Sequence, residues 1–307
     1  MNNKSLRKTM LHYAVYLAVR LFVAISGVFS YHANRAVCSA LAILATDIIP
    51  FRRKVLKENL LQAFPEMTAE ERKKIIRKMW EHLFLMGAEF FIGRRRINER
   101  NWRRHIFITD GANNVRVFFP DRPLIVVTGH YGNFEMGALV LGILGYPTHT
   151  VARALDNPFL NRYVTELREE SGQYLIDKNG ATTMVTKVIE ERGIVAFLAD
   201  QAAGPRGYWV DFFGKKASTH KVIALLSLRY NAPIFVCHCT RVDNGELRFE
   251  LVADDFYDPL LPKEGCSSVR EVTQWFTTAL ENAVRKHPEQ YWWLHRRWKD
   301  YGIARPR

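Results

Sequence analysis

Two side chains that can move a proton lie five positions apart: His130 and Glu135, in P-L-I-V-V-T-G-H-Y-G-N-F-E-M from Pro123 to Met136. An imidazole takes a proton from a hydroxyl near neutral pH, and a carboxylate on its other nitrogen fixes the tautomer and stabilises the imidazolium. Residues five apart on a regular helix are rotated by about 140°, so direct contact requires a non-helical step. Gly132 and Asn133 supply one. With Asn133 as N-cap, Glu135 falls in the first helical turn, where the dipole favours its anion. The expectation is that His130 and Glu135 lie within hydrogen-bond reach, as general base and orienting carboxylate. Neither G-x-S-x-G nor H-E-x-x-H occurs, so direct attack by a substrate hydroxyl fits better than a covalent acyl-enzyme or a zinc site.

The elements that hold this pair read as alternating strands and helices from Pro123 onward. Strands are expected at Leu124 to Thr128, Thr148 to Ala152, Gln173 to Ile176, Ile194 to Ala199, Ile234 to Thr240 and Leu247 to Val252. Helices are expected at Phe134 to Leu144, Pro158 to Glu170, Ala181 to Arg192, Lys221 to Tyr230 and Val269 to His287. The pattern predicts an α/β fold: a mixed, largely parallel central sheet flanked by helices. Ligands gather outside the carboxyl ends of such strands. His130 follows one strand while Asp200 and Gln201 follow another, so one rim can hold all three.

Upstream, residues 10 to 31 have about the length of a membrane-spanning helix and follow Lys4, Arg7 and Lys8, although Arg20 lies near their centre. A second apolar run covers Ala36 to Phe51, and the basic cluster Arg52, Arg53, Lys54 and Lys57 follows. These features divide the chain into an N-terminal membrane-associated segment, residues 1–50, and a larger domain, residues 51–307. Thr68 and Glu71 form a T-x-x-E capping box, and Ile75, Ile76, Met79, Trp80, Leu83 and Phe84 continue a helical stripe.

Composition gives 44 Lys and Arg against 31 Asp and Glu, a formal charge of +13. Such a field attracts anionic lipid, acidic protein or nucleic acid alike. The basic residues are dispersed and no nucleic-acid motif is present, which argues against nucleic acid. Cys38, Cys237, Cys239 and Cys266 form no C-x-x-C pair, and no metal-ligand cluster or cofactor motif is apparent.

G-H-Y-G-N-F-E resembles the H-x-x-x-x-(D/E) signature of glycerolipid acyltransferases, and specifically that of the bacterial lipid A late acyltransferases, the lauroyl and myristoyl transferase family. Five further segments agree in order: N-L-L-Q-A-F-P-E, A-R-A-L-D-N-P, A-D-Q-A-A-G-P-R, F-F-G-K-K-A-S-T and P-E-Q-Y-W-W-L-H-R-R-W-K. The resemblance implies transfer of a fatty acyl chain from acyl carrier protein to a lipid A precursor hydroxyl, on the cytoplasmic face of the bacterial inner membrane, without metal or cofactor. Acyl-CoA as donor, or a lysophospholipid, ornithine-type lipid or glycolipid as acceptor, would keep the same chemistry. The resemblance also implies that Arg168 stabilises the thioester oxyanion, and that Arg153, Asn157, Asp200, Gln201 and Arg206 form or support the substrate pocket. The anionic membrane surface and the acidic carrier are the partners expected. His295, Arg296 and Arg297 read as structural or headgroup contacts.

Overall fold

The computed structural model describes residues 3–49, 51–109, 122–242, 246–261 and 263–302. Helices α1 (Asn3–Val28), α2 (Tyr31–Ile43), α3 (Arg53–Ala63) and α4 (Ala69–Arg96) come first. The Thr68 hydroxyl accepts from the Glu71 amide and the Glu71 carboxylate accepts from the Thr68 amide, so the expected capping box forms. The helix runs past Gly93 through Arg94, Arg95 and Arg96, because cations suit a helix C-terminus.

After α4 come β1 (Ile106–Thr109), β2 (Leu124–Thr128), α5 (Phe134–Ile143), β3 (Thr148–Ala152), α6 (Pro158–Glu169), β4 (Gln173–Asp177), α7 (Ala181–Glu190) and β5 (Ile194–Leu198). A hairpin follows, β6 (Tyr208–Phe212) with β7 (Lys215–Thr219), then α8 (Val222–Tyr230), β8 (Ile234–Arg241), β9 (Phe249–Tyr257) and α9 (Val269–Lys286). Seven strands form one sheet in the order β1-β9-β8-β2-β5-β3-β4. Every pairing in it is parallel except β8 with β9. This is the mixed, largely parallel α/β sheet expected.

β2 lies between β5 and β8, and its apolar run is buried on both faces, as an inner parallel strand requires. Ile125 and Val127 pack with residues of α7, α8 and α9, whereas Leu124 and Val126 pack with Phe235 and Cys237 on the opposite face. A further cluster joins Leu85, Ala88 and Ile92 of α4 to Met136, Leu139 and Val140 of α5. The helix that carries Glu135 is thereby fixed against α4.

Ser5–Val28, 24 residues, is long and apolar enough to cross a membrane, and only 11% of its apolar window is buried. Leu11, Leu17, Leu21, Phe22 and Ile25 face outward, which fits association with a membrane. Arg20 turns back to the protein: it donates to the Tyr16 hydroxyl at 2.8 Å and lies 4.6 Å from the centre of the Tyr163 ring on α6.

Candidate active site

The site forms where β2 and β5 end side by side. Thr128 is in register with Leu198, so positions 130 and 200, each two residues further on, emerge together at the carboxyl rim. Gly129 packs against this approach, and a Cβ there would just touch the Asp200 side chain, at 3.4 Å. Asp200 accepts from the His130 amide at 3.0 Å and from His130 Nδ1 at 2.9 Å. A carboxylate has only lone pairs to offer, so the ring proton is on Nδ1 and Nε2 is the basic nitrogen. Burial pushes the Asp200 carboxyl up, but the attraction of His130 and its two hydrogen bonds prevail and hold it at about 2.

Nε2 of His130 lies 3.2 Å from the Gln201 amide nitrogen, which is 3.0 Å from Nε2 of His295. An amide NH2 has two hydrogens, one for each ring. Phe134, Trp292 and His295 surround the His130 ring at centroid distances of 5.5, 5.3 and 5.1 Å. Burial, and then the charge of His130, push His295 down to about 4, so it is neutral at pH 7. His130 itself keeps 15% of its side chain exposed.

Glu135 does not hold His130. Asn133 caps α5 as expected, its side-chain oxygen accepting from the Met136 amide at 3.1 Å, and Glu135 stands in the first turn. Its carboxylate instead accepts from both Arg168 Nε (3.4 Å) and Arg168 NH2, and from Arg94 NH2 at 3.5 Å. The reason is twofold. Both ring nitrogens of His130 are taken by Asp200 and Gln201, and two permanent cations attract a buried carboxylate more strongly than a neutral imidazole does. Phe90 lies beneath both guanidiniums, 3.9 Å from Arg94 and 5.6 Å from Arg168. Burial pushes Arg94 down to about 10.

The structure therefore brings His130, Asp200 and Gln201 together at one rim, and Glu135 together with Arg168. Asn157 caps α6, accepting from the Phe159 and Leu160 amides, and its own amide donates to the His12 carbonyl of α1 at 2.8 Å. Arg153 pairs with Asp156 in an exposed loop, and Arg206 is exposed ahead of β6. Neither touches His130 or Glu135 among the described contacts. No sequence signal marked His295 and Trp292 as neighbours of His130, or Arg94 as the second partner of Glu135. The C-terminal segment returns to the rim through the Trp292 amide, which donates to the His130 carbonyl at 2.9 Å. That return is a long-range contact with no local signal.

A carboxylate-bound histidine at the carboxyl rim of a parallel-rich α/β sheet is an arrangement that can move a proton to or from a substrate bound there. Residues 1–300 match the family described as bacterial lipid A biosynthesis acyltransferase. The chain belongs to that family and is an acyltransferase. It is 28% identical over 266 residues to the lipid A biosynthesis lauroyltransferase of Escherichia coli (strain K12), covering 83% of this chain and 82% of that protein. It is 25% identical over 264 residues to the lipid A biosynthesis palmitoleoyltransferase of the same strain, covering 83% and 81%. A crystal structure of the 1-acyl-sn-glycerophosphate acyltransferase from Thermotoga maritima aligns with a TM-score of 0.38 and 17% identity, over 84% of this chain and 99% of that one.

Proposed function

We propose that the protein moves a fatty acyl group from the thioester of an acyl carrier protein to a hydroxyl of a lipid A precursor, at the cytoplasmic face of the bacterial inner membrane. The observation that carries this reading is the contact of Asp200 with His130 Nδ1, which leaves Nε2 as the basic nitrogen beside an amide that a hydroxyl can displace. Family membership and the printed activities of the relatives support the lipid acceptor, and the outward-facing apolar helix α1 supports the membrane.

The acceptor hydroxyl donates to Nε2, and its oxygen attacks the thioester carbonyl as the proton passes to His130. The Asp200 carboxylate stabilises the imidazolium so formed. Arg168, steadied by Glu135, supplies positive charge for the tetrahedral oxyanion, which collapses to the new ester and expels the carrier's thiolate. The imidazolium returns its proton to that sulfur, so the base is regenerated. Arg153 and Arg206 are the exposed cations assigned to headgroup phosphates, and Asn157 secures the helix that carries Arg168.

Acyl-CoA as donor and other lipid acceptors are the competing substrates. Purified protein in detergent, given matched acyl-carrier-protein and acyl-CoA donors with a lipid A precursor or a lysophospholipid, separates them by mass spectrometry. The proposal expects ester formation on the lipid A precursor with the carrier-bound donor at least about tenfold faster than any other pairing, a margin that one or two contacts of differential binding supply. Preference for acyl-CoA or for lysophospholipid would overturn it.

A further inference from the structure

Four residues from His130 to Asn133 set the position of the base, and their polar groups are tied from several sides. The His130 amide goes to Asp200, and the His130 carbonyl accepts from the Trp292 amide. The Gly132 amide donates to the Gln290 carbonyl, and the Asn133 amide donates to the Cys239 carbonyl of β8. Gly132 has φ 60°, and a Cβ there would stand 2.1 Å from the Cys239 oxygen, so only glycine allows this approach. Two further handles are the Gly132 carbonyl and the Asn133 side-chain amide.

Both handles end on one buried cluster that the chemistry above does not use. Glu89, fully buried on α4, accepts from Asn133 Nδ2 at 2.8 Å, from the Tyr31 hydroxyl at 2.7 Å, and from Nε and NH2 of Arg241. Those four bonds fill its lone pairs. Arg241 NH1 donates to His82 Nδ1 at 2.8 Å. His82 therefore carries its proton on Nε2, which donates to the Gly132 carbonyl at 3.1 Å. The Gln290 side chain clasps the Arg241 backbone, accepting from its amide at 2.9 Å and donating to its carbonyl at 3.0 Å.

A buried ion pair is a weak source of stability, since apolar residues of the same volume often do as well. What this one adds is geometry. We propose that Glu89, Arg241 and His82 are positioning residues: they set the Gly132–Asn133 turn, and with it His130, and through Tyr31 they tie that turn to helix α2 and so to the membrane-associated end of the chain. This rests on His130 being the base.

The test uses the full-length protein in detergent. Glu89→Gln combined with Arg241→Met removes both charges at once, so that neither is left buried alone. His82→Leu removes the link to Gly132, whereas His82→Gln keeps an acceptor for Arg241 and a donor for the Gly132 carbonyl. Positioning predicts KM for both substrates within about twofold and kcat lowered about 30- to 100-fold in the double variant, the scale expected for misplacing a reacting group by about 1 Å. It further predicts about a tenfold loss in His82→Leu, largely restored in His82→Gln.

Folded double variant with kcat near that of the wild type, or with the loss carried by KM, would overturn the proposal. Should the double variant fail to fold, the His82 pair decides: equal kcat in the leucine and glutamine variants overturns it as well. His130→Ala is run in parallel. Activity retained there removes the base assignment itself, while activity lost there but kept in the other variants removes only the positioning role.

Discussion

Asp200 and Glu135 make an instructive pair. Both are buried carboxylates near one turn, and both are bound by nitrogen cations or potential cations. Asp200 faces a histidine, whose charge comes and goes, so the pair can take up and release a proton. Glu135 faces Arg94 and Arg168, whose charges are permanent, so it can only hold them in place. Glu135 is five residues from His130 in the chain, and Asp200 is seventy. The distant one touches the imidazole, because register between adjacent parallel strands brings chain ends together regardless of separation.

The contrast is sharpest in the two isosteric variants. Asp200→Asn removes the charge that stabilises the imidazolium and relaxes the tautomer, and is expected to lower kcat by about 10²- to 10⁴-fold. Glu135→Gln leaves the buried Arg94 and the partly exposed Arg168 without their anion. It is expected to cost about 3 kcal/mol of stability, as breaking a buried pair does, but only about tenfold in kcat through Arg168, since one weakened charge interaction is lost. Steady-state kinetics and thermal unfolding of both variants check this. Equal or reversed effects on kcat would break the comparison.

A smaller effect concerns pH. His295 has its ordinary value of 6.5 when unfolded and about 4 in the folded chain. Below 6.5 the unfolded chain binds a proton at His295 that the folded chain does not, so stability falls as pH drops from about 6.5 towards 4. The contribution is full above that window. His82, lowered first by burial and then by Arg241, acts in the same direction. Unfolding temperature measured from pH 7.5 to 4.5 should decline in the wild type and decline less in His295→Gln; identical slopes would show that His295 is not held neutral.

Much of this was legible beforehand, for identifiable reasons. β2 and β3 have the bounds read from their apolar and β-branched runs, and the Thr68–Glu71 box starts α4. The rule that ligands gather at strand carboxyl ends placed His130, Asp200 and Gln201 on one rim. It did not say which carboxylate meets the imidazole, because spacing within a motif describes only local chain, whereas β2–β5 register is tertiary. β1 is four residues beside an arginine-rich stretch, too short for a periodic signal. The turn of the β6–β7 hairpin is made by Phe213 and Gly214, both at positive φ, and a phenylalanine there carries no turn signal. Glu89 is one acidic position in an apolar helical stripe, and nothing local marks it as the partner of Arg241, distant in the chain.

The central claim is that Asp200, and not Glu135, holds the Nδ1 proton of His130. Proton NMR of the histidine-¹⁵N-labelled protein tests it directly, with His130 identified by the signal missing from His130→Ala. A downfield Nδ1–H resonance is expected that persists in Glu135→Gln and is lost or moved strongly upfield in Asp200→Asn. A resonance that survives in Asp200→Asn and disappears in Glu135→Gln would contradict it.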